Sequence, residues 1–197
     1  DLNELARAWA QNWGDGKKEI LSGRPTAFFK TALPELAEHC LAAEENARVQ
    51  NGRDDLVFWR LLYHLNPNMQ IFYWKGRIYE SLAALGHEML ENLRRNDTSR
   101  LEWYKSILSE KLLTIYTVLA APDNAPLKQA ATALENLYLF ELDNCTNFRK
   151  TLFLMGYLLS NHKILHIADQ EFGSVGELSL HLQNLLHKSK DALKRFC

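Results

Sequence analysis

A chain of 197 residues, 47% of them hydrophobic and 24% charged, carries enough apolar material for a packed core in one domain or two small units, which excludes a disordered chain. Its 23 basic and 24 acidic side chains leave a formal charge of −1, so no global field draws in polyanions or an anionic membrane surface. Nine glycines and five prolines leave room for long helices and few loops, and the class expected is mainly α with small strand insertions.

In chain order, Leu2, Leu5, Trp9 and Trp13 recur at helical spacing behind Asp1 as N-cap, and this first helix is expected to end at Gly14 and Gly16. A short second helix carries Ile20 and Leu21 and breaks at Gly23, Arg24 and Pro25. Pro34 suits the first turn of a helix that bears Leu36, Cys40 and Ala47 and closes at Asn51 and Gly52. Asp54 or Asp55 caps the next, whose Phe58, Leu61, Leu62 and Leu65 run to Asn66 and Pro67. Residues 71–79 alternate and are dense in aromatic and β-branched types, with Lys75 and Gly76 between the two halves, which predicts a β-hairpin. Ser81 opens a helix to about Arg95. Asn96, Asp97, Thr98 and Ser99 then start the longest predicted helix, on which Leu101, Tyr104, Leu108, Leu112, Ile115 and Leu119 share a face. Beyond the two-proline loop at 122–126 come helices near 126–142 and 146–160, a second hairpin turning at Ala168 and Asp169, and a last helix from Ser174 to about Arg195.

Residues 57–94 and 150–187 align without a gap at a constant offset of 93, each running from apolar helix through strand pair into a new helix. Identity is low, and the match lies in the order of apolar, turn and capping residues. The fold expected is a helical repeat or bundle of helix-hairpin-helix units with two short hairpins. Its boundaries are 1–80 for a first unit ending in a hairpin, 81–173 for a second, and 174–197 for a C-terminal helix. A strand pair this short is stable only when packed on helices, so each hairpin is expected to seal one unit against the next. Asp1 aligns with Ser81 and Ser174, which both follow a hairpin, so the native chain is expected to continue upstream.

The opening Leu5, Ala6, Ala8, Trp9, Ala10, Asn12, Trp13, Gly16 and Lys17, followed by Leu21, Gly23, Phe28 and Phe29, resembles helical modules that accompany bacterial Ser/Thr-kinase-like and stress-signalling proteins. The repeated hairpin-to-helix segment is similar to the same material. The resemblance implies an accessory, protein-binding or regulatory region of a multidomain bacterial protein and implies no catalytic residue. The kinase hallmarks are absent: there is no Gly-rich phosphate loop, no His-Arg-Asp and no Asp-Phe-Gly.

Candidates for chemistry are few. His162 and His166 stand four apart but lack a third ligand nearby, whereas a closed zinc site takes four. His39 and Cys40 are adjacent on a helix and diverge by about 100°, which spoils chelation. Cys145 has no partner at catalytic spacing, and a free cysteine is more often a small buried hydrophobe than a nucleophile. Glu44 with Glu45, and Glu88 with Glu91, read as solvated helix faces rather than paired acids. No metal and no cofactor is expected. Three scattered cysteines suit a reducing compartment, and no apolar run reaches the roughly 18 residues of a membrane span, so a cytoplasmic setting without a membrane is expected.

One patch stands out. Trp59 and Arg60, then Tyr73, Trp74, Lys75 and Arg77, interleave aromatic and basic side chains of the types favoured at binding hot spots and on base-stacking surfaces. The second copy has Ile167, Ala168 and Gln170 in place of Trp74, Lys75 and Arg77, so the scaffold does not require the patch. Against this stands the reading in which the aromatics only pin the hairpin to helices, since at least one face of the strand pair must be core. The function expected is a non-catalytic protein-interaction or regulatory module, its partner a protein or a neighbouring domain of the same chain, with the six residues as partner-binding site. Single-stranded nucleic-acid binding is the alternative, and an enzyme using His162, His166 or Cys145 is the third.

Overall fold

Asp1 caps α1 (Leu2–Gln11) by accepting a hydrogen bond from the Glu4 amide at 2.8 Å, as a capping box should. The structure, a computed structural model, describes residues 1–49, 54–66, 70–140, 145–160, 165–167, 170–172 and 181. The first helix stops earlier than expected, at Asn12, whose backbone amide and side-chain amide both donate to the Ala8 carbonyl. A new helix, α2 (Trp13–Leu21), starts at once and contains both glycines that were expected to end the first. Gly16 is there for proximity: a Cβ on it would lie 2.6 Å from Phe58 Cζ. Gly23, left-handed at φ +73, leads into α3 (Arg24–Ala32), where the sequence predicts only a break and Pro25 instead occupies the first turn. The α4 (Pro34–Val49) and α5 (Asp54–Leu65) helices fall where the sequence places them.

Strands β1 (Phe72–Trp74) and β2 (Arg77–Tyr79) pair antiparallel, with Phe72 opposite Tyr79 and Trp74 opposite Arg77. Lys75 and Gly76 join them with φ of +46 and +79, the left-handed pair that a two-residue hairpin loop demands. Ser81 then caps α6 (Leu82–Arg95) through the Ala84 amide, and Asn96, also left-handed, ends it.

The longest predicted helix is two helices, α7 (Thr98–Ser109), capped by Asp97, and α8 (Leu112–Leu119), with Lys111 at φ +53 between them. The cause lies in α9 (Ala125–Phe140). Its Glu135 carboxylate accepts from the amides of Leu113 and Thr114, at 2.9 and 3.1 Å, and from the Thr114 hydroxyl at 2.6 Å. A buried helix start has orphan N–H groups that need such an acceptor. The cap comes from a residue more than 20 positions downstream, so the apolar periodicity of 101–119 carries no sign of it. Glu135 is fully buried; desolvation pushes its carboxyl up to about 7, with the three hydrogen bonds pulling the other way.

Helix α10 (Cys145–Leu159) packs on α6 more extensively than any other helix pair described, at a crossing where Gly86 meets Gly156. Strands β3 (Leu165–Ile167) and β4 (Gln170–Phe172) form a second, separate two-stranded sheet. Its register, Leu165 opposite Phe172 and Ile167 opposite Gln170, is that of the first hairpin displaced by 93. Displaced by the same amount, α5 falls within α10. The Ala168-Asp169 turn and the helix expected from Ser174 to about Arg195 lie outside the described residues. The protein is mainly α-helical with short hairpins, and one hydrophobic cluster runs from Ala6 to Leu159, across the expected boundary at residue 80. No helix among the described residues is long and apolar enough to cross a membrane.

Candidate functional site

The aromatic half of the expected binding patch is interior. Trp59, Tyr73 and Trp74 are 0%, 0% and 1% exposed, and both faces of β1 are covered, where the sequence required only one. Both indole N–H groups have a partner inside. The Trp59 indole donates to the Tyr73 carbonyl, and the Trp74 indole to the Ser106 hydroxyl of α7 at 2.8 Å. The Tyr63 hydroxyl donates to the Ile71 carbonyl and accepts from the Tyr73 amide. Trp74 stands edge-on to Trp13 of α2 and to Trp59 of α5, and Phe72 meets Tyr116 of α8. As a surface for partners the patch is therefore corrected on these three residues: they join helices from both sides of residue 80. With no ring face open to solvent, they offer no platform on which a base can stack.

The basic members of the patch separate. Lys75 is exposed at the hairpin tip, 5.2 Å from the Trp74 ring centroid and 3.3 Å from Asp55. Asp55 also accepts from Lys17 and from the Trp13 indole, both at 2.7 Å. Burial lifts the Asp55 carboxyl, but the Lys17 and Trp13 hydrogen bonds and the Lys17 and Lys75 charges outweigh it and hold the group below its ordinary value. Arg77 is half-buried over the Trp103 ring and 3.9 Å from Glu88, which also pairs with Arg100 and accepts from Tyr104 and Asn92. Glu88 is thus the hub of a polar network between β2, α6 and α7, and Glu91 on the same helix pairs with Arg94 and Arg95.

Arg60 points elsewhere, into a cleft between α4 and α5. On α4, His39 is followed three and four residues on by Ala42 and Ala43 and these by Asn46, which makes a single stripe; on α5, Leu56 and Val57, then Arg60 and Leu61, then His64 recur at the same steps. The stripes face each other and enclose about 230 Å³. At one end the imidazoles of His39 and His64 stack, centroids 4.0 Å apart and planes within 11°. Burial, then the neighbouring His39, then the Arg60 charge, hold His64 below the usual histidine value. Across the histidine pair lies a second, more apolar groove lined by Leu2, Leu33, Pro34, Leu36 and Leu65, with Glu35 at its edge.

Sequence reasoning passed over this cleft because its signal is two stripes of mixed polar and apolar residues at helical spacing, not aromatic density. Of the other candidates, Cys40 is buried, and desolvation raises its thiol to about 11, which keeps it protonated and inert. Glu44 is buried and pairs with Arg48. His166 lies on β3, opposite Glu171 in register. His162 lies outside the described residues, as does the side chain of Cys145. Among the described residues, no group of three or more His, Cys, Asp or Glu side chains is placed to hold a metal ion. Compared with protein-family models, curated proteins and solved structures, the chain matches none.

Proposed function

We propose that this chain is a non-catalytic protein-interaction or regulatory module of a larger, multidomain, cytoplasmic protein, and that its working face is the outer surface of α4 and α5 rather than the first hairpin. The observation that carries this reading is that the cleft and the apolar groove meet at the His39–His64 pair, giving one continuous face with polar and apolar parts side by side. Interfaces have this mixed character, an apolar centre with polar groups around it. The interior acids support the same reading, since Glu135 caps α8 and Glu44 pairs with Arg48, which gives each a structural task.

A photo-crosslinking residue in place of the exposed Ala42, in an extract of the source cells, should form a discrete adduct with one polypeptide. The same residue in place of exposed Gln129 on α9 should form none. Absence of an adduct from position 42, or the same adducts from both positions, would overturn the proposal.

A further inference from the structure

We infer that the α4–α5 cleft is a binding site for a carboxylate on a short hydrocarbon stem, received by the Arg60 guanidinium between the imidazoles of His39 and His64 and the carboxamide of Asn46. The inference concerns the same face as the interaction reading and goes beyond it by assigning the chemistry of the ligand.

Arg60, His39, His64 and Asn46 make no hydrogen bond or ion pair with the described residues, whereas Arg7, Arg48, Arg77 and Arg100 each have a carboxylate. Among the described residues no acidic side chain lines the cleft, and Glu35 belongs to the groove beyond the histidines. These four exposed side chains therefore line one space with their donors and acceptors open to a ligand.

The floor decides what accompanies the charge. Ala43, buried on α4, makes the depth by being small, and Leu56, Val57 and Leu61 make the wall apolar, so the group that enters is a hydrocarbon stem with a polar end. At about 230 Å³ the space is below the range of about 300–1,000 Å³ of drug-sized sites and suits a short stem. Charge decides the head group. Arg60 is the one permanent cation of the described lining, and its planar fork matches a carboxylate with two parallel hydrogen bonds. A phosphate dianion would leave a charge unbalanced by this single cation.

The carboxylate has two sources, a free short-chain acid or an acidic side chain of a polypeptide, and a single titration separates them. Ring-proton NMR signals of His39 and His64, assigned with His39→Gln and His64→Gln, are followed at constant ionic strength against sodium butyrate, butyramide, inorganic phosphate and the blocked peptide acetyl-Ala-Glu-Leu-amide. Saturable shifts of both histidines with butyrate and none with butyramide are expected. Arg60→Gln should weaken butyrate about tenfold, because it removes a charge-assisted pair, and Arg60→Lys should restore part of the loss. Neither change removes an intramolecular ion pair, and circular dichroism confirms the fold. A peptide bound tighter than butyrate assigns a polypeptide carboxylate, and one bound no tighter assigns a free acid; both support the site. Equal response to butyramide, tighter binding of phosphate, no saturation, or an unchanged Arg60→Gln protein would overturn it. Butyrate binding without an adduct from position 42 would sink only the interaction reading, and the reverse only the carboxylate site.

Discussion

Replacing Gly86 by alanine is expected to destabilise the protein by about 2 kcal/mol although it improves helix propensity. Inside a helix, alanine is favoured over glycine by about 1 kcal/mol. At Gly86 the added Cβ would lie 2.5 Å from the Ser160 amide nitrogen and 2.7 Å from the Gly156 carbonyl oxygen, against the 3.4 Å at which ordinary contact begins. Both obstacles are backbone, so no side chain can swing away, and α6 must lift from α10 by about 0.7–0.9 Å, the shortfall in those two contacts. Along the seam Leu85, Met89, Leu152 and Met155 are fully buried, and a gap of that size forfeits a quarter to a half of each contact's attraction. Overpacking of this kind costs about 1–3 kcal/mol, and here it takes the upper end because the whole crossing moves; subtracting the propensity gain leaves about 2. Urea unfolding followed by circular dichroism should show the midpoint about 1 M lower at unchanged slope. The matched control is Gly14→Ala, where a Cβ meets nothing within 4 Å and the midpoint should rise slightly. A Gly86→Ala protein as stable as the parent would refute the close approach of α6 and α10.

Glu135 and Trp74 give two further tests. Folding raises the Glu135 carboxyl from 4.5 to about 7, so the folded state holds the extra proton between those values. Its contribution to stability is full below about 4.5 and is lost as pH rises through about 7, by roughly 3 kcal/mol. Glu135→Gln has no such titration, and the stability difference between it and the parent should change by that amount between pH 4.5 and 7.5; a difference flat with pH would show that the carboxyl is not buried. Trp74→Ala should cost about 3–5 kcal/mol in urea unfolding as a buried indole is lost, while Ser106→Ala should cost about 1 kcal/mol by leaving the Trp74 N–H without its acceptor. A Trp74→Ala protein of parental stability would place the ring outside the core.

The elements that could be read in the sequence are those whose signals are local. Asp1, Ser81 and Asp97 cap helices where their side chains predict it, and Lys75-Gly76 turns the hairpin, because a cap or a two-residue loop is decided by neighbours within three or four positions. What the sequence hid depends on contacts from far along the chain. The break between α7 and α8 is set by Glu135, and the tolerance of Gly16 within α2 by Phe58 on α5. The aromatic members of the expected patch are buried for a related reason. Aromatic and basic residues in alternation look alike whether the rings stack on a ligand or on one another, and the outcome turns on Trp13, Tyr63, Trp103, Ser106 and Tyr116, none of them within the motif.

Two helix–helix seams of the fold are built from different residues. In each, a helix that opens at a side-chain cap, α1 after Asp1 or α6 after Ser81, packs on the helix that precedes a hairpin, α5 or α10. Aligning cap with cap sets Gly86 on Ala6, and the offset of 93 sets Gly156 on Tyr63. Where both positions are glycine the helices meet backbone to backbone. In the first seam Ala6 and Tyr63 are also almost wholly buried, and Tyr63 fills its position with a ring. The volume of Tyr63 is then used by the hairpin: its hydroxyl takes the Tyr73 amide and gives to the Ile71 carbonyl, satisfying backbone groups that a three-residue strand leaves over. The first hairpin is thus held by a side chain from the preceding helix, and Gly156 carries no side chain to do the same.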